Sequence, residues 1–172
     1  MKRFFFLLML LTGLASCVET KWEQQEYPGG ILLNVPDYMT PSKELSPDAI
    51  VQLENKNREL YFLLQKKSKT EFASAGIEFD ITPFSKELMK TMLSELKKAY
   101  FEEEGPVMVS GLKGYRFSVG GKSKVGPAID QQVLVVEKGE DFYVLTAWTT
   151  SGSKTSWYNN DLRKLMDSFR LK

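Results

Sequence analysis

The chain has 172 residues, with 23 Lys+Arg against 22 Asp+Glu for a formal charge of +1, one cysteine and no histidine. This length fits one ordinary domain plus a leader, and so balanced a charge gives no bias toward nucleic acid. Without histidine, Ser-His-Asp and Cys-His catalytic sets are impossible, as are zinc, haem and iron–sulfur sites that draw on histidine and several cysteines, so any enzyme here would rely on Asp, Glu, Lys, Tyr or Ser.

Lys2 and Arg3 form a basic start, and Phe4 to Leu11 an apolar run that Thr12-Gly13 breaks. This is the shape of a signal peptide. The uncharged run ends at Val18, short of the roughly 18 or more apolar residues that span a bilayer. Leu14-Ala15-Ser16 meets the small-residue rule of ordinary secretory cleavage only in part, because Leu14 is bulky. Leu14-Ala15-Ser16-Cys17 resembles instead the lipobox of bacterial lipoproteins. The resemblance implies cleavage before Cys17 and acylation of its thiol, so that Cys17 is the lipidation site and acyl chains hold the product at a membrane. Val18 stands where some inner-membrane lipoproteins carry Asp, which favours the outer membrane over the inner. Loss of Lys2 and Arg3 leaves a mature side-chain charge of about −1.

Residues 1–16 are thus expected to be a lipoprotein signal peptide, 17–30 a lipidated N-terminus and flexible tether, and 31–172 a single domain. Ile31 to Val35 reads as a strand stopped by Pro36, and Asp37 to Asp48 as loop. Ala49–Glu54 and Glu59–Lys66 form a hairpin about Asn55-Lys56-Asn57-Arg58, whose asparagines suit positive φ. Phe84, Leu88, Met92, Leu96 and Tyr100 recur every four residues and predict a helix from Pro83 to about Glu102, capped by Thr82 and ended by Gly105-Pro106. Glu102-Glu103-Glu104 then sits unfavourably at the negative end of the helix dipole.

Tyr115, Phe117 and Val119 alternate with polar or small residues and predict a strand, followed by a loop over 120–127. Ala128–Glu137 and Asp141–Thr150 follow as a hairpin about Lys138-Gly139-Glu140, and a helix from Lys154 or Ser156 to Phe169 closes the chain.

Three motifs invite functional readings. Gly121-Lys122-Ser123 has the end of a phosphate loop, but the first glycine of that pattern is replaced by Arg116 and no helix follows. Asp130, Glu137, Asp141 and Asp161 could supply paired carboxylates for a hydrolase that uses Asp and Glu alone. Tyr143, Trp148, Trp157 and Tyr158, with Thr146, Thr149 and Asn159, could line a recognition surface, although packing explains such aromatics more often. No catalytic, cofactor-binding or metal-ligating residue is assigned.

The order of elements predicts an α+β fold, a mainly antiparallel sheet of about six strands flanked by helices. Ile31 to Pro36, Lys113-Gly114-Tyr115-Arg116-Phe117, Gln131 to Val135, Phe142 to Thr146 and Leu165 to Leu171 make the chain resemble the PsbP-like superfamily. That resemblance implies an αβα sandwich that binds or scaffolds. It assigns no manganese, calcium or Ran site. The function expected is therefore that of a non-enzymatic binding or scaffolding module, lipid-anchored in the bacterial cell envelope, with a protein partner and no nucleic acid. The alternatives are a carrier or sensor with a small-ligand pocket between the sheet and the Pro83–Glu102 helix, and the carboxylate-only hydrolase.

Overall fold

A computed structural model describes residues 20–74, 76, 78–150 and 155–172, without the side chains of 103 and 155–157. The chain order is β1 (Trp22–Tyr27), β2 (Ile31–Pro36), β3 (Thr40–Pro41), β4 (Val51–Asn55), β5 (Leu60–Ser68), α1 (Lys69–Ser74), α2 (Ile81–Ser94), β6 (Leu96–Val109), β7 (Leu112–Ser123), β8 (Ala128–Lys138), β9 (Asp141–Thr149), α3 (Thr155–Asp167) and β10 (Arg170–Leu171). All strand pairings are antiparallel. The fold is α+β.

The main sheet has seven strands in the order β3-β4-β5-β9-β8-β7-β6, and β1-β2-β10 make a smaller one. The opening strand expected in the main sheet is therefore in a second layer. The reason lies in β9, which is apolar in both alternate rows: Phe142 and Val144 join one buried cluster, and Tyr143, Leu145 and Ala147 another. A sheet buried on both faces needs a cover on each. Leu33, Val35, Leu162, Leu165, Met166 and Phe169, from the small sheet, α3 and the segment after it, complete the first cluster. Met89, with Phe72, Phe79, Phe84, Leu88 and Met92, closes the other. The result is the expected sandwich of helix, sheet and helix, with β1, β2 and β10 added to one outer layer.

Three local expectations are corrected. The tether is not coil throughout, since Trp22–Tyr27 pairs with β2 along its whole length. Its alternation was hidden because the segment lies at a sheet edge, with polar residues on both sides and only Trp22 and Tyr27 packed on the core. The asparagine turn does form, with Asn55 Oδ1 accepting from the Arg58 amide at 2.9 Å, but the positive φ of 54° falls on Glu59.

The third correction concerns the long helix. It starts two residues earlier, at Ile81, with Asp80 as N-cap accepting from the Thr82 amide at 2.8 Å, and it stops at Ser94. Residues 96–109 are strand β6. Thr91 and Ser94 turn their hydroxyls back onto the Glu87 and Thr91 carbonyls, a competition with the helix that weakens its last turn. The ladder offered by β7 then takes over, from Leu96↔Ser123 to Val109↔Leu112. Glu102, Glu103 and Glu104 accordingly meet no helix dipole.

The loop before β3 is fixed to α3 through Tyr38, whose hydroxyl donates to Asp161 at 2.6 Å while Arg58 lies 4.0 Å over its ring. Burial, then the bond to Asp161, push the Tyr38 hydroxyl above the ordinary tyrosine range, and burial lifts Tyr27 to about 12. A phenol whose folded pKa is raised contributes stability that is complete below its unfolded value near 10 and is lost as pH rises through the folded value. Urea midpoints are expected to hold to about pH 10 and then fall steeply, and Tyr38→Phe should flatten that fall. A profile unchanged by Tyr38→Phe would show that this hydroxyl has no such role.

Candidate functional site

The hairpin β7–β8 brings Ser118 opposite Gln132, and Gly120 opposite Asp130. Pairing of β6 adds Tyr100 beside Gly120 and Glu102 beside Ser118. These residues occupy one face of the sheet, the face on which α3 lies. Asn159 comes down from the first half of that helix, and Gln132 Nε2 donates to its carbonyl at 3.0 Å. Together they border a cleft of about 400 Å³, to which Phe101, Val119 and Gln131 also contribute.

Its shape depends on one missing side chain. A Cβ at Gly120 would run into the ring and hydroxyl of Tyr100 and the carboxylate of Asp130. With glycine there, the Tyr100 ring crosses the strand and its hydroxyl donates to Asp130 Oδ1. Burial, then Asp130, raise the Tyr100 pKa to about 12, so the phenol stays a donor at neutral pH. Tyr100 is nevertheless 56% exposed, so its ring forms a wall open to solvent. Asn159 Oδ1 is buried without a hydrogen-bond partner. Among the described residues, no cationic side chain borders the cleft. The nearby Arg163 is held by Glu104 in two parallel bonds of 2.7 and 2.8 Å.

The residues singled out from sequence fall in different places. Cys17 lies outside the described residues. Tyr143 is buried against Phe169, with ring centroids 5.4 Å apart. Trp148 is on the opposite face of β9, half-buried and stacked on Tyr61 at 5.3 Å. Tyr158 packs at the margin of the Tyr143 cluster. Trp157 is in α3, with its side chain outside the described residues. The structure does not bring the four into one surface, because alternation along a strand sends Tyr143 and Trp148 to opposite sides.

The four carboxylates are likewise separated by their partners. Asp130 takes Tyr100, Glu137 takes Lys69, Asp141 takes Lys66 at 2.8 Å and Asp161 takes Tyr38. No group of three or more acidic or thiol ligands suited to a metal occurs among the described residues. Gly121-Lys122-Ser123 is strand, not loop. The pocket expected under the long helix is filled by Met89, Phe84, Leu88 and Met92 packed on Phe117, Val133 and Phe142.

No family model matches the chain, and neither does any curated protein. Solved structures do. The cyanobacterial PsbP of Synechocystis matches with a TM-score of 0.59 at 12% identity, over 95% of this chain and 99% of that one. The chain has a PsbP-like fold. The Ran-binding protein Mog1p of Saccharomyces cerevisiae gives 0.57 at 15% identity, covering 89% and 96%. LpqN of Mycobacterium tuberculosis, involved in cell envelope biogenesis, gives 0.51 at 18%, covering 90% and 92%. Among the described residues, no helix is long and apolar enough to cross a membrane.

Proposed function

We propose that this PsbP-like chain is a lipid-anchored, non-enzymatic protein-binding module of the bacterial cell envelope, and that the cleft between α3 and β6–β8 is its recognition site. The observation that carries the reading is the spacing between the lipobox and the fold. Only residues 18–21 separate Cys17 from β1. Even fully extended, that interval spans at most about 17 Å. Acyl chains on Cys17, each buried methylene contributing ~0.8 kcal/mol, would hold the small sheet and α3 close to the head groups. Likeness of fold to the Ran-binding protein Mog1p supports the binding role, and likeness to LpqN supports the envelope setting. The outer membrane is favoured by Val18 after the cysteine.

The test is fractionation of cells making the native chain or Cys17→Ser, with mass spectrometry of the product. The native chain is expected in membranes, with an acylated N-terminal cysteine. Cys17→Ser should keep its leader uncleaved or leave the membrane fraction in an unacylated form. An unmodified thiol on the native product would end the reading.

A further inference from the structure

The α3–β6–β8 cleft is bordered by two carboxylates, those of Glu102 and Asp130, and by Asn159. Glu102 makes no side-chain hydrogen bond or ion pair to the described residues, and Asp130 spends one oxygen on the Tyr100 hydroxyl. Asn159 Oδ1 is buried with no donor, an unfavourable condition for a polar atom unless something supplies one. Gln132 gives one of its two amide hydrogens to the Asn159 main-chain carbonyl, and the phenol proton of Tyr100 is taken by Asp130. Two carboxylates therefore border a cavity lined by no cation among the described residues, and the Arg163 guanidinium is engaged in its bidentate pairing with Glu104.

The Tyr100 ring adds a second, independent preference. Aromatic faces attract cations within about 6 Å, most often guanidinium groups. The ring is held across Gly120, a placement any other residue would block. An anionic ligand would be repelled by the two carboxylates. A planar guanidinium brings five N–H donors and no acceptor, and a primary ammonium brings three. The cleft volume lies within the range of small-ligand pockets, about 300–1,000 Å³. It borders β6, the end strand of the main sheet, so a side chain can enter from a partner lying along that edge.

We infer that the cleft bordered by Tyr100, Glu102, Asp130 and Asn159 binds a guanidinium or primary ammonium group. The inference rests on the binding-module reading for its biological setting. It names the chemistry of the ligand: a cationic arginine or lysine side chain, or a free polyamine, held by Glu102 and Asp130 against the Tyr100 ring.

The probes are N-acetyl-arginine amide, its neutral isostere N-acetyl-citrulline amide, and spermidine. Each is titrated into the full acylated chain in detergent micelles, and backbone amide shifts are followed. The arginine amide should give saturable shifts at Tyr100, Ser118, Gln132 and Asn159, weakening with added salt, and the citrulline amide should bind at least about tenfold more weakly. Glu102→Gln, at an exposed position that the fold does not use, should weaken the arginine amide about fivefold while leaving the urea midpoint unchanged. Gly120→Ala should displace the Tyr100 ring and abolish the site. Tighter binding of spermidine at the same residues would support the site and identify a free polyamine as the source. Equal affinity for citrulline and arginine amides would overturn the inference. So would saturable shifts elsewhere, or none up to the solubility limit. These failures would leave Cys17 acylation intact, whereas an unmodified Cys17 with binding intact would remove only the anchor.

Discussion

Phe142→Ala is expected to destabilise the protein by about 3–5 kcal/mol, the range for deleting a fully buried aromatic side chain. Phe142 is 0% exposed, and its ring meets Phe79 at 4.4 Å, Phe84 at 5.0 Å and Phe72 at 5.5 Å. These rings come from α1, α2 and the segment between them, so Phe142 is where the outer helical layer is fastened to the sheet. The surrounding rings are rigid and drawn from separate elements, so they cannot collapse into the space. Urea unfolding should show a lower midpoint, and amides of α2 should exchange faster than those of β8 and β9. Val125→Ala, at a residue 98% exposed, should change neither. A loss under 1 kcal/mol for Phe142→Ala would mean the helical layer is held by something other than this cluster.

The same residue explains why part of the fold was legible. From Asp141 to Thr149 the strand has apolar residues in both rows, and Gly139, at φ 58°, marks the turn before it. Alternation of Tyr115, Phe117 and Val119 was equally clear, because one row packs under α2 while the other carries Gly114, Arg116 and Ser118. Closing helix α3 followed from Leu162, Leu165 and Met166.

Illegible features are those decided by partners distant in sequence. Leu96 and Tyr100 continue the four-residue spacing of Phe84, Leu88 and Met92, so local pattern reads them as helix. Only the ladder with β7 makes them strand. Once that is missed, the cleft is missed too, since Tyr100 appears to be on a helix stripe far from Asp130. The site joins residues from β6, β7, β8 and α3, and no local motif records that meeting. The signal that could have pointed to it is Gly120-Gly121 inside an otherwise regular alternation, since glycine within a strand often marks a close approach. Aromatics near the end of the chain were visible but misleading, because proximity in sequence along β9 means opposite faces.

Arg116 lies on β7 in the row that also carries Ser118 and Gly120, and the second large effect concerns it. Its side chain is 6% exposed, with one terminal nitrogen on Asp167 Oδ1 and Nε without a partner. Asp167 in turn approaches Arg163 Nε at 3.9 Å, and Arg163 grips Glu104, so β7, α3 and β6 are joined by one chain of charges. Removing the carboxylate with Asp167→Ala leaves a guanidinium buried and uncompensated. Breaking such pairs costs about 3–5 kcal/mol, and because Asp167 is 48% exposed, water can reach part of the gap and the lower end is expected. Arg116→Met has the opposite logic: it removes the charge that required a partner, fills similar volume beside Leu134, and leaves Asp167 free to hydrate. That variant should be neutral or more stable by about 1 kcal/mol. Urea midpoints of the two variants and of the double variant decide the matter. If the desolvated charge is the cause, Arg116→Met should rescue Asp167→Ala almost completely. If instead both single variants are equally destabilised and the double is no better, the ion pair itself contributes the stability, and Arg116 is there to hold α3 on the sheet.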